Sequence, residues 1–216
     1  TLTKKERREL HRQEKKSERS RIITINKTKK YLTRGFILLV FIAVVFGFWK
    51  LSQQTPVTDA DVLQINENDW KRGNENSSVT LIEYSDFQCP ACASYHPLVT
   101  KLYNEYGDRV QFVTRHFPIT NIHKNAMTSA KAVEAAGKQG KFWEMHDILF
   151  ENQENWSNER DPEDLFESYA GKIGLDKKQF LVDYDDEAVD NKINADRNGA
   201  SAAGVTGTPT FFLNRE

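Results

Sequence analysis

The chain has 216 residues, which suits one ordinary domain with additional segments, and its formal net charge is only −1. The near balance of 30 Lys and Arg against 31 Asp and Glu excludes a protein that is basic throughout. It also hides a split, because residues 1–34 carry a net charge of about +9 and residues 35–216 about −10. Such an asymmetry indicates that the two parts face different surroundings.

An uncharged stretch of 15 residues, Gly35–Trp49, separates the two parts. As a helix it would span roughly 23 Å, somewhat less than a ~30 Å hydrocarbon core, and Arg34 and Lys50 can reach the headgroups. We predict a transmembrane signal anchor at residues 35–51, a basic cytoplasmic tail at residues 1–34, and an extracytoplasmic remainder. A cleaved secretion signal and a buried soluble helix are the alternatives, although the following S-Q-Q-T-P-V-T lacks an Ala-x-Ala-like cleavage site. The basic tail is interpreted as a topology determinant near anionic lipid, not as a nucleic-acid contact.

Residues 52–78 are polar and are predicted to be a linker with at most one short helix or strand. A folded domain is predicted at residues 79–216. It begins with a β-rich run, V-T-L-I-E-Y-S-D, continues with apolar residues at helical spacing from Tyr95 to Tyr106, and adds a second strand at R-V-Q-F-V-T-R-H-F. This order predicts a βαβ unit with two parallel strands.

A helical insertion is predicted at about residues 125–199, where five segments have helical patterns. They are A-M-T-S-A-K-A-V-E-A-A-G, K-F-W-E-M-H-D-I-L-F, the stretch 162–170, D-K-K-Q-F-L and E-A-V-D-N-K-I-N-A-D-R. A last strand, T-P-T-F-F-L, begins at a proline, where the missing N–H matters least. The predicted fold class is therefore α/β.

Both cysteines of the chain lie in C-P-A-C, Cys89 to Cys92, between the first strand and the first helix. Pro90 suits the first helical position, so Cys89 is predicted to cap the positive end of the helix dipole, where a thiolate is stabilised. Cys92 lies one turn into the helix and is predicted to be covered and to resolve mixed disulfides. A location outside the cytoplasm, where disulfides persist, agrees with a redox dithiol.

Two other uses of the cysteine pair are open. Cys89, Cys92 and His96 form a C-x2-C-x3-H run that zinc could use, with His116 or His123 as a fourth ligand, but a strand–helix junction does not resemble a zinc knuckle. A purely structural bridge would close a very short loop and remove little chain entropy. A redox dithiol is favoured over both.

The sequence resembles the DsbA-like thioredoxin-fold oxidoreductases, and more narrowly their membrane-anchored bacterial members. The resemblance extends from about Val79 to Glu216. The motifs that carry it are C-P-A-C after a strand ending Y-S-D-F, R-H-F-P-I, an A-x-x-A-x-x-A helix followed by G-K-F-W-E-M-H-D-I-L-F, and G-V-T-G-T-P-T-F-F. The resemblance implies a thioredoxin fold with a helical domain inserted between its halves, and an edge strand and a closing helix beyond Glu216.

The resemblance also implies roles for individual residues. Thr208-Pro209 is expected to be a cis bond beside the dithiol, with the Thr208 backbone pairing with an extended substrate segment while Cys89 reacts. Glu83, six residues before Cys89, is expected either to assist proton transfer or to be a strand-edge carboxylate in water. Asp86 is a weaker candidate for the proton-transfer role. No organic cofactor or metal is expected, because the electrons pass through the dithiol itself.

The expected function is thiol–disulfide exchange outside the cytoplasm, with oxidation of cysteines in exported proteins as the main direction. The family makes a quinone-linked membrane partner plausible as the oxidant of the reduced dithiol. Strongly oxidising members usually carry His next to the second cysteine, where this chain has Ala91. A reductase or isomerase with the same residues is therefore an alternative, and a non-catalytic thioredoxin-fold binding module is the alternative from another class.

Overall fold

The computed structural model describes Phe46 and residues 62–214. Contacts divide the chain into two units, Thr1–Pro56 and Val57–Glu216, and the strands and helices named below all belong to the second. The predicted tail, nearly all of the predicted anchor and the first part of the predicted linker lie outside the described residues. Within the described residues, no helix is long and apolar enough to cross a membrane.

Residues 62–214 fold into four strands and seven helices, which include every element predicted from Val79 onward and two further elements, a strand and a short helix. In chain order these are β1 (Trp70–Gly73), β2 (Thr80–Ser85), α1 (Pro90–Tyr106), β3 (Gln111–His116), α2 (Ala126–Lys138), α3 (Phe142–Glu151), α4 (Gln153–Trp156), α5 (Glu163–Lys172), α6 (Lys177–Tyr184), α7 (Glu187–Ala202) and β4 (Thr210–Leu213).

The sheet has the strand order β1-β3-β2-β4. Strands β2 and β3 are parallel, as the predicted βαβ unit requires, and they pair from Thr80 with Gln111 to Ser85 with His116. Strands β1 and β4 run antiparallel to β3 and β2, respectively. The helices α2 to α7 are inserted between β3 and β4, so the predicted α/β fold with a helical insertion is confirmed.

The folded unit begins earlier than the predicted boundary at Val79. Strand β1 lies inside the predicted linker and pairs with β3, with Trp70 opposite Thr114. Its four residues, W-K-R-G, include two charged side chains, so the local strand signal is weak and pairing with β3 decides the structure. Leu63, also in the predicted linker, is 4% exposed and packs with Ile82 in the core.

A buried ion pair fastens the segment before β1 to the sheet. Arg115 on β3 donates from Nε and Nη2 to the two carboxylate oxygens of Asp69, both at 2.7 Å. The same guanidinium donates to the carbonyl oxygens of Val62 and Gln64, both at 2.6 Å. The side chains of Arg115 and Asp69 are only 4% and 1% exposed. Because the ion pair is buried and the guanidinium also donates to two backbone carbonyls, the contact specifies where residues 62–69 lie.

The two faces of the sheet have different partners. Ile82 and Tyr84 on β2 pack with Val113, Ala200 and Val205 in one buried cluster. A larger cluster involves the helical insertion and the first turn of α1. Its buried members include Phe87, Cys89, Cys92, Val133, Phe142, Met145, Leu149, Trp156, Phe166 and Phe180. The cysteine site is therefore built against the insertion.

The insertion contains one helix that the sequence analysis missed. Helix α4 has only four residues, too few to show helical periodicity. Its last residue, Trp156, is 0% exposed and donates its indole N–H to the carbonyl oxygen of Leu149 at 2.9 Å. This buried tryptophan fixes α4 against the end of α3, next to residues 86–89, which connect β2 to α1 and are called the cysteine loop below.

Candidate active site

Cys89 is the N-cap residue of α1, and Pro90 occupies the first helical turn. The predicted cap position is confirmed. Cys89 has an extended backbone, with φ −68° and ψ 121°, and is 7% exposed. Its Sγ lies 3.4 Å from the carbonyl oxygen of Thr208. The positive end of the helix dipole and the negative end of a carbonyl dipole therefore act on the same sulfur.

The loop before β4 reaches Cys89 because β4 pairs with β2. Tyr84, near the end of β2, lies opposite Thr210 at the start of β4, so residues 207–209 fall beside the loop that leads to Cys89. The Thr208-Pro209 bond is cis, as the resemblance predicted. The Thr210 hydroxyl donates to the carbonyl oxygen of Gly207 at 2.7 Å and closes this turn.

Cys92 is fully buried, at 0% exposure, as predicted for the second cysteine. Burial raises the pKa of its thiol to about 12, although the backbone of Asp86 and the hydroxyls of Ser85 and Thr208 act in the opposite direction. The Cys92 thiol is therefore protonated at neutral pH. Both cysteines are free thiols in the structure.

Glu83 lies on β2, the strand between β3 and β4, and is 7% exposed. The interpretation of Glu83 as a strand-edge carboxylate in water is therefore wrong. Burial raises its pKa to about 7, while the Ser85 hydroxyl and the Arg72 guanidinium lower it. A carboxyl with this pKa is about half protonated near neutral pH and can both accept and donate a proton.

Ser85 lies near both groups with raised pKa values, Glu83 and Cys92. Its hydroxyl lowers the pKa of the Cys92 thiol and of the Glu83 carboxyl, so it lies near both. Among the described residues, its Oγ is one of five buried side-chain polar atoms that make no hydrogen bond; the others belong to Arg72, Thr100, His146 and Thr208. The Ser85 hydroxyl is therefore free to turn toward either the thiol or the carboxyl.

Asp86 has a different environment from Glu83. Its carboxylate accepts hydrogen bonds from the backbone N–H groups of Gln88, at 2.8 Å, and Ile119, at 2.9 Å. It also contacts Nδ1 of His123 at 2.7 Å and is 1% exposed. These contacts hold the loop that precedes Cys89, and they give the Asp86 carboxylate partners other than the dithiol.

Arg72 is a residue of the site that sequence reasoning missed, because β1 was assigned to the linker. Its guanidinium lies 4.4 Å from the ring centres of both Tyr103 and Trp143. It lowers the pKa of Glu83, although burial has the larger, opposite effect. Arg72 is therefore held against two aromatic rings, where its positive charge acts on Asp147 and, more weakly, on Glu83.

The zinc hypothesis for the cysteines is not supported by the geometry of residues 62–214. The donors there that come close enough to share an ion are those of His96, His146 and Asp147, all within 4.8 Å of one another, and neither cysteine joins them. His116 instead contacts Glu134, with 2.6 Å between Nε2 and Oε1. His123 contacts Asp86, as described above.

Comparisons with known proteins agree with this fold. The sequence model of a protein family described as Thioredoxin matches residues 66–216, and the chain belongs to this thioredoxin family. The match begins close to β1 and well before Val79, in agreement with the corrected boundary.

Several solved structures share the fold of the DsbA-like members. The thiol–disulfide exchange protein alpha-DsbA2 from Wolbachia pipientis has a TM-score of 0.61 at 23% identity, covering 70% of this chain and 78% of that chain. BdbD from Bacillus subtilis has a TM-score of 0.62 at 22% identity, covering 69% and 83%. A thioredoxin-like oxidoreductase from Silicibacter pomeroyi has a TM-score of 0.60 at 28% identity, covering 71% and 84%.

The curated relatives are much longer proteins. The Na(+)/H(+) antiporter NhaA 1 of Salinispora arenicola is 40% identical over 148 residues, which are 68% of this chain and 22% of that protein. The Na(+)/H(+) antiporter NhaA of Herminiimonas arsenicoxydans is 37% identical over 147 residues, with the same coverage. The chain thus spans about a fifth of the length of the curated relatives that it matches.

Proposed function

We propose that the protein is an extracytoplasmic thiol–disulfide oxidoreductase that introduces disulfides into exported proteins through Cys89 and Cys92. The single observation that carries the proposal is the arrangement of the two thiols. Cys89 caps the positive end of α1 beside the Thr208 carbonyl, whereas Cys92 is fully buried one turn into the helix. One sulfur is suited to attack and the other to resolution.

The proposed reaction transfers two electrons from a substrate dithiol to the Cys89–Cys92 disulfide. A substrate thiolate attacks Sγ of Cys89, the bond between the two cysteine sulfurs breaks, and Cys92 leaves with the electron pair. A mixed disulfide then joins Cys89 to the substrate. The second substrate thiolate attacks the first substrate sulfur, Cys89 leaves as a thiolate, and the substrate carries the new disulfide.

The leaving Cys92 sulfur has to take up a proton. Its pKa of about 12 makes the unprotonated form unstable at neutral pH. In the proposal Glu83 supplies this proton, with the Ser85 hydroxyl between them, and the same groups remove it when Cys92 attacks in the reverse direction. A pKa of about 7 lets Glu83 serve in both directions.

Thr208 and Pro209 are proposed to hold the substrate. The Thr208 carbonyl is already directed at Cys89 Sγ, at 3.4 Å, so a substrate segment that lies along this backbone would place its cysteine next to the same sulfur. The main-chain contacts of such a segment would be independent of its side chains, as a protein that oxidises many exported substrates requires.

The proposal needs no bound organic cofactor or metal, because the dithiol carries the electrons. It does need an oxidant for the reduced pair, and we propose that a membrane redox partner supplies it. The family resemblance implies that this partner is a quinone-linked enzyme. The proposed location is the cell membrane, with residues 1–34 in the cytoplasm and residues 52–216 outside. Charge supports this topology, and protease added to intact cells should cleave after Ser52 but not between Arg7 and Arg21.

Oxidation of a reduced two-cysteine peptide by the full chain tests the proposal. The unsubstituted protein, first oxidised to the Cys89–Cys92 disulfide, should form the peptide disulfide, and Cys89→Ser should be inactive. Cys92→Ser, incubated instead with the oxidised peptide, should accumulate a mixed disulfide at Cys89, because the peptide disulfide supplies the sulfur that Cys89 attacks. A reductase or isomerase would show the same trapping but would favour peptide reduction or disulfide exchange. A non-catalytic binding module would bind partners equally well with Cys89→Ser and would form no mixed disulfide.

A further inference from the structure

The loop before α1 is held by a side chain from the helical insertion. Gln153, the first residue of α4, donates from Nε2 to the carbonyl oxygen of Phe87 at 2.7 Å and to that of Cys89 at 3.0 Å. A primary amide has two N–H groups, so both are used. The residue that contacts the backbone of the cysteine loop therefore comes from 64 positions further along the chain.

Gln153 is itself fixed in place by its surroundings. Trp156 anchors α4 in the core, as described above. The Gln88 side chain also joins the cysteine loop to the insertion. It donates to the carbonyl oxygen of Ser157 at 2.6 Å and accepts from the backbone N–H of Asn125 at 2.6 Å. Asn125 in turn donates to the carbonyl oxygen of Glu159 at 2.9 Å. The insertion and the cysteine loop are thus joined by a set of amide contacts, in which Gln153 contacts the backbone of Cys89 itself.

The hydrogen bonds donated by Gln153 affect the electrostatic potential at the Cys89 sulfur. Its carbonyl already accepts the backbone N–H of Ala93, at 3.2 Å, in the first turn of α1. The Gln153 amide donates a second hydrogen bond to this carbonyl and also donates to the carbonyl of Phe87. In each case the positive end of an N–H dipole lies beside a backbone oxygen. Both hydrogen bonds reduce the negative potential that these backbone oxygens create around the Cys89 sulfur.

We propose that Gln153 is a positioning residue that stabilises the Cys89 thiolate through the backbone of the cysteine loop and so makes the Cys89–Cys92 disulfide more oxidising. The inference rests on the proposed function and deepens it. The helical insertion then sets the oxidising strength of the dithiol, in a chain where Ala91 stands in place of the histidine of strongly oxidising relatives. A thiolate that is more stable in the reduced protein makes the disulfide easier to reduce, which is the property of an oxidant.

Three substitutions in the full chain separate an electrostatic role from a structural one. Gln153→Met keeps the length and neutrality of the side chain but removes both donors. Gln153→Lys keeps donors and adds positive charge, and Gln153→Glu presents acceptors to two carbonyl oxygens. All three substitutions should reduce the stability of the protein. If charge at the loop controls the redox equilibrium, oxidising strength should be highest with Lys at position 153, followed by the natural Gln, then Met, and lowest with Glu.

Gln139 provides a matched control. Its Nε2 donates to the carbonyl oxygen of Asp176 at 3.1 Å, and its Oε1 accepts from the backbone N–H of Asp176 at 3.0 Å. Gln139→Met therefore also removes two amide–backbone hydrogen bonds, but at a loop on another part of the insertion. It should change the stability of the protein without changing its redox equilibrium.

The measurement is the equilibrium of the Cys89–Cys92 pair with glutathione, followed by thiol trapping, together with urea unfolding of each variant. We expect Gln153→Met to shift the equilibrium constant roughly three- to tenfold toward a less oxidising pair, and Gln139→Met to leave it unchanged. The inference is overturned if the equilibrium constant of Gln153→Met lies within twofold of that of the unsubstituted protein. It is also overturned if the ranking of the variants by oxidising strength follows their stability and not the charge of residue 153. If the unsubstituted protein forms no Cys89–Cys92 disulfide at any glutathione ratio, the proposed function itself fails.

Discussion

Glu83→Gln should make the protein more stable and less active at the same time. The pKa of Glu83 is about 7, above its ordinary value of 4.5, because the carboxyl is buried. At pH values between about 4.5 and about 7, Glu83 keeps its proton in the folded protein but has lost it in the unfolded chain. The stability of the fold therefore falls as the pH rises through this range. The full loss is about 3 kcal/mol at pH 8, since one pKa unit corresponds to about 1.4 kcal/mol.

Glutamine at this position remains neutral at every pH and avoids that loss. Urea unfolding of the reduced full chain should therefore show Glu83→Gln gaining about 2–3 kcal/mol relative to the unsubstituted protein between pH 5 and pH 8. The exposed Glu154 offers a matched control, because Glu154→Gln should show no such pH-dependent gain. A Glu83→Gln protein that is less stable at pH 8, or whose difference from the unsubstituted protein does not change with pH, would refute the account of Glu83.

The kinetic half of this prediction concerns the step in which Cys92 loses its proton. A mixed disulfide between Cys89 and glutathione is prepared, and its resolution by Cys92 is followed in a single turnover. In the unsubstituted protein the rate should rise with pH through about 7, as Glu83 ionises. Glu83→Gln should be slower by roughly a hundredfold and should lack this inflection. An unchanged rate and pH profile would remove Glu83 from the reaction.

Two further substitutions test the packing that supports the site. Asp69→Ala should destabilise the protein by roughly 3–5 kcal/mol in urea unfolding, because it leaves Arg115 buried and unpaired; a loss below 1 kcal/mol would contradict this. Gly137→Ala should also destabilise, since a Cβ there would lie 2.4 Å from the Trp70 ring. The control Gly199→Ala, also in a helix but with nothing within 4 Å of the added Cβ, should stabilise by roughly 0.5–1 kcal/mol, and equal effects at the two glycines would refute the packing argument.

Local sequence signals were sufficient for much of the fold and for the position of both thiols. Pro90 after Cys89 predicts a helix start with the cysteine as its cap, and α1 begins at Pro90. The apolar spacing from Tyr95 to Tyr106 also predicts α1, but it overstates burial. Leu98 and Tyr95 are 51% and 47% exposed, and Val99 is the one buried residue of the predicted stripe.

The features that were missed depend on contacts between distant parts of the chain. Strand β1 is a strand because it pairs with β3, and Arg72 belongs to the site for that reason alone. The burial of Glu83 follows from the position of β2 inside the sheet, which a single strand pattern does not reveal. Gln153 acts on a carbonyl 64 residues earlier, from a helix too short to show periodicity. In each case the sequence determines the contact through the tertiary fold and not through a local motif.

The central claim is that Cys89 and Cys92 form an exchange-active pair with unequal roles. The most direct test incubates the full chain with oxidised and reduced glutathione, traps all thiols, and locates every disulfide by mass. The account predicts a Cys89–Cys92 disulfide that forms and is reduced reversibly, and in Cys92→Ser a glutathione adduct on Cys89. Two thiols that stay unreactive, or an adduct that forms as readily on Cys92 in Cys89→Ser, would contradict it.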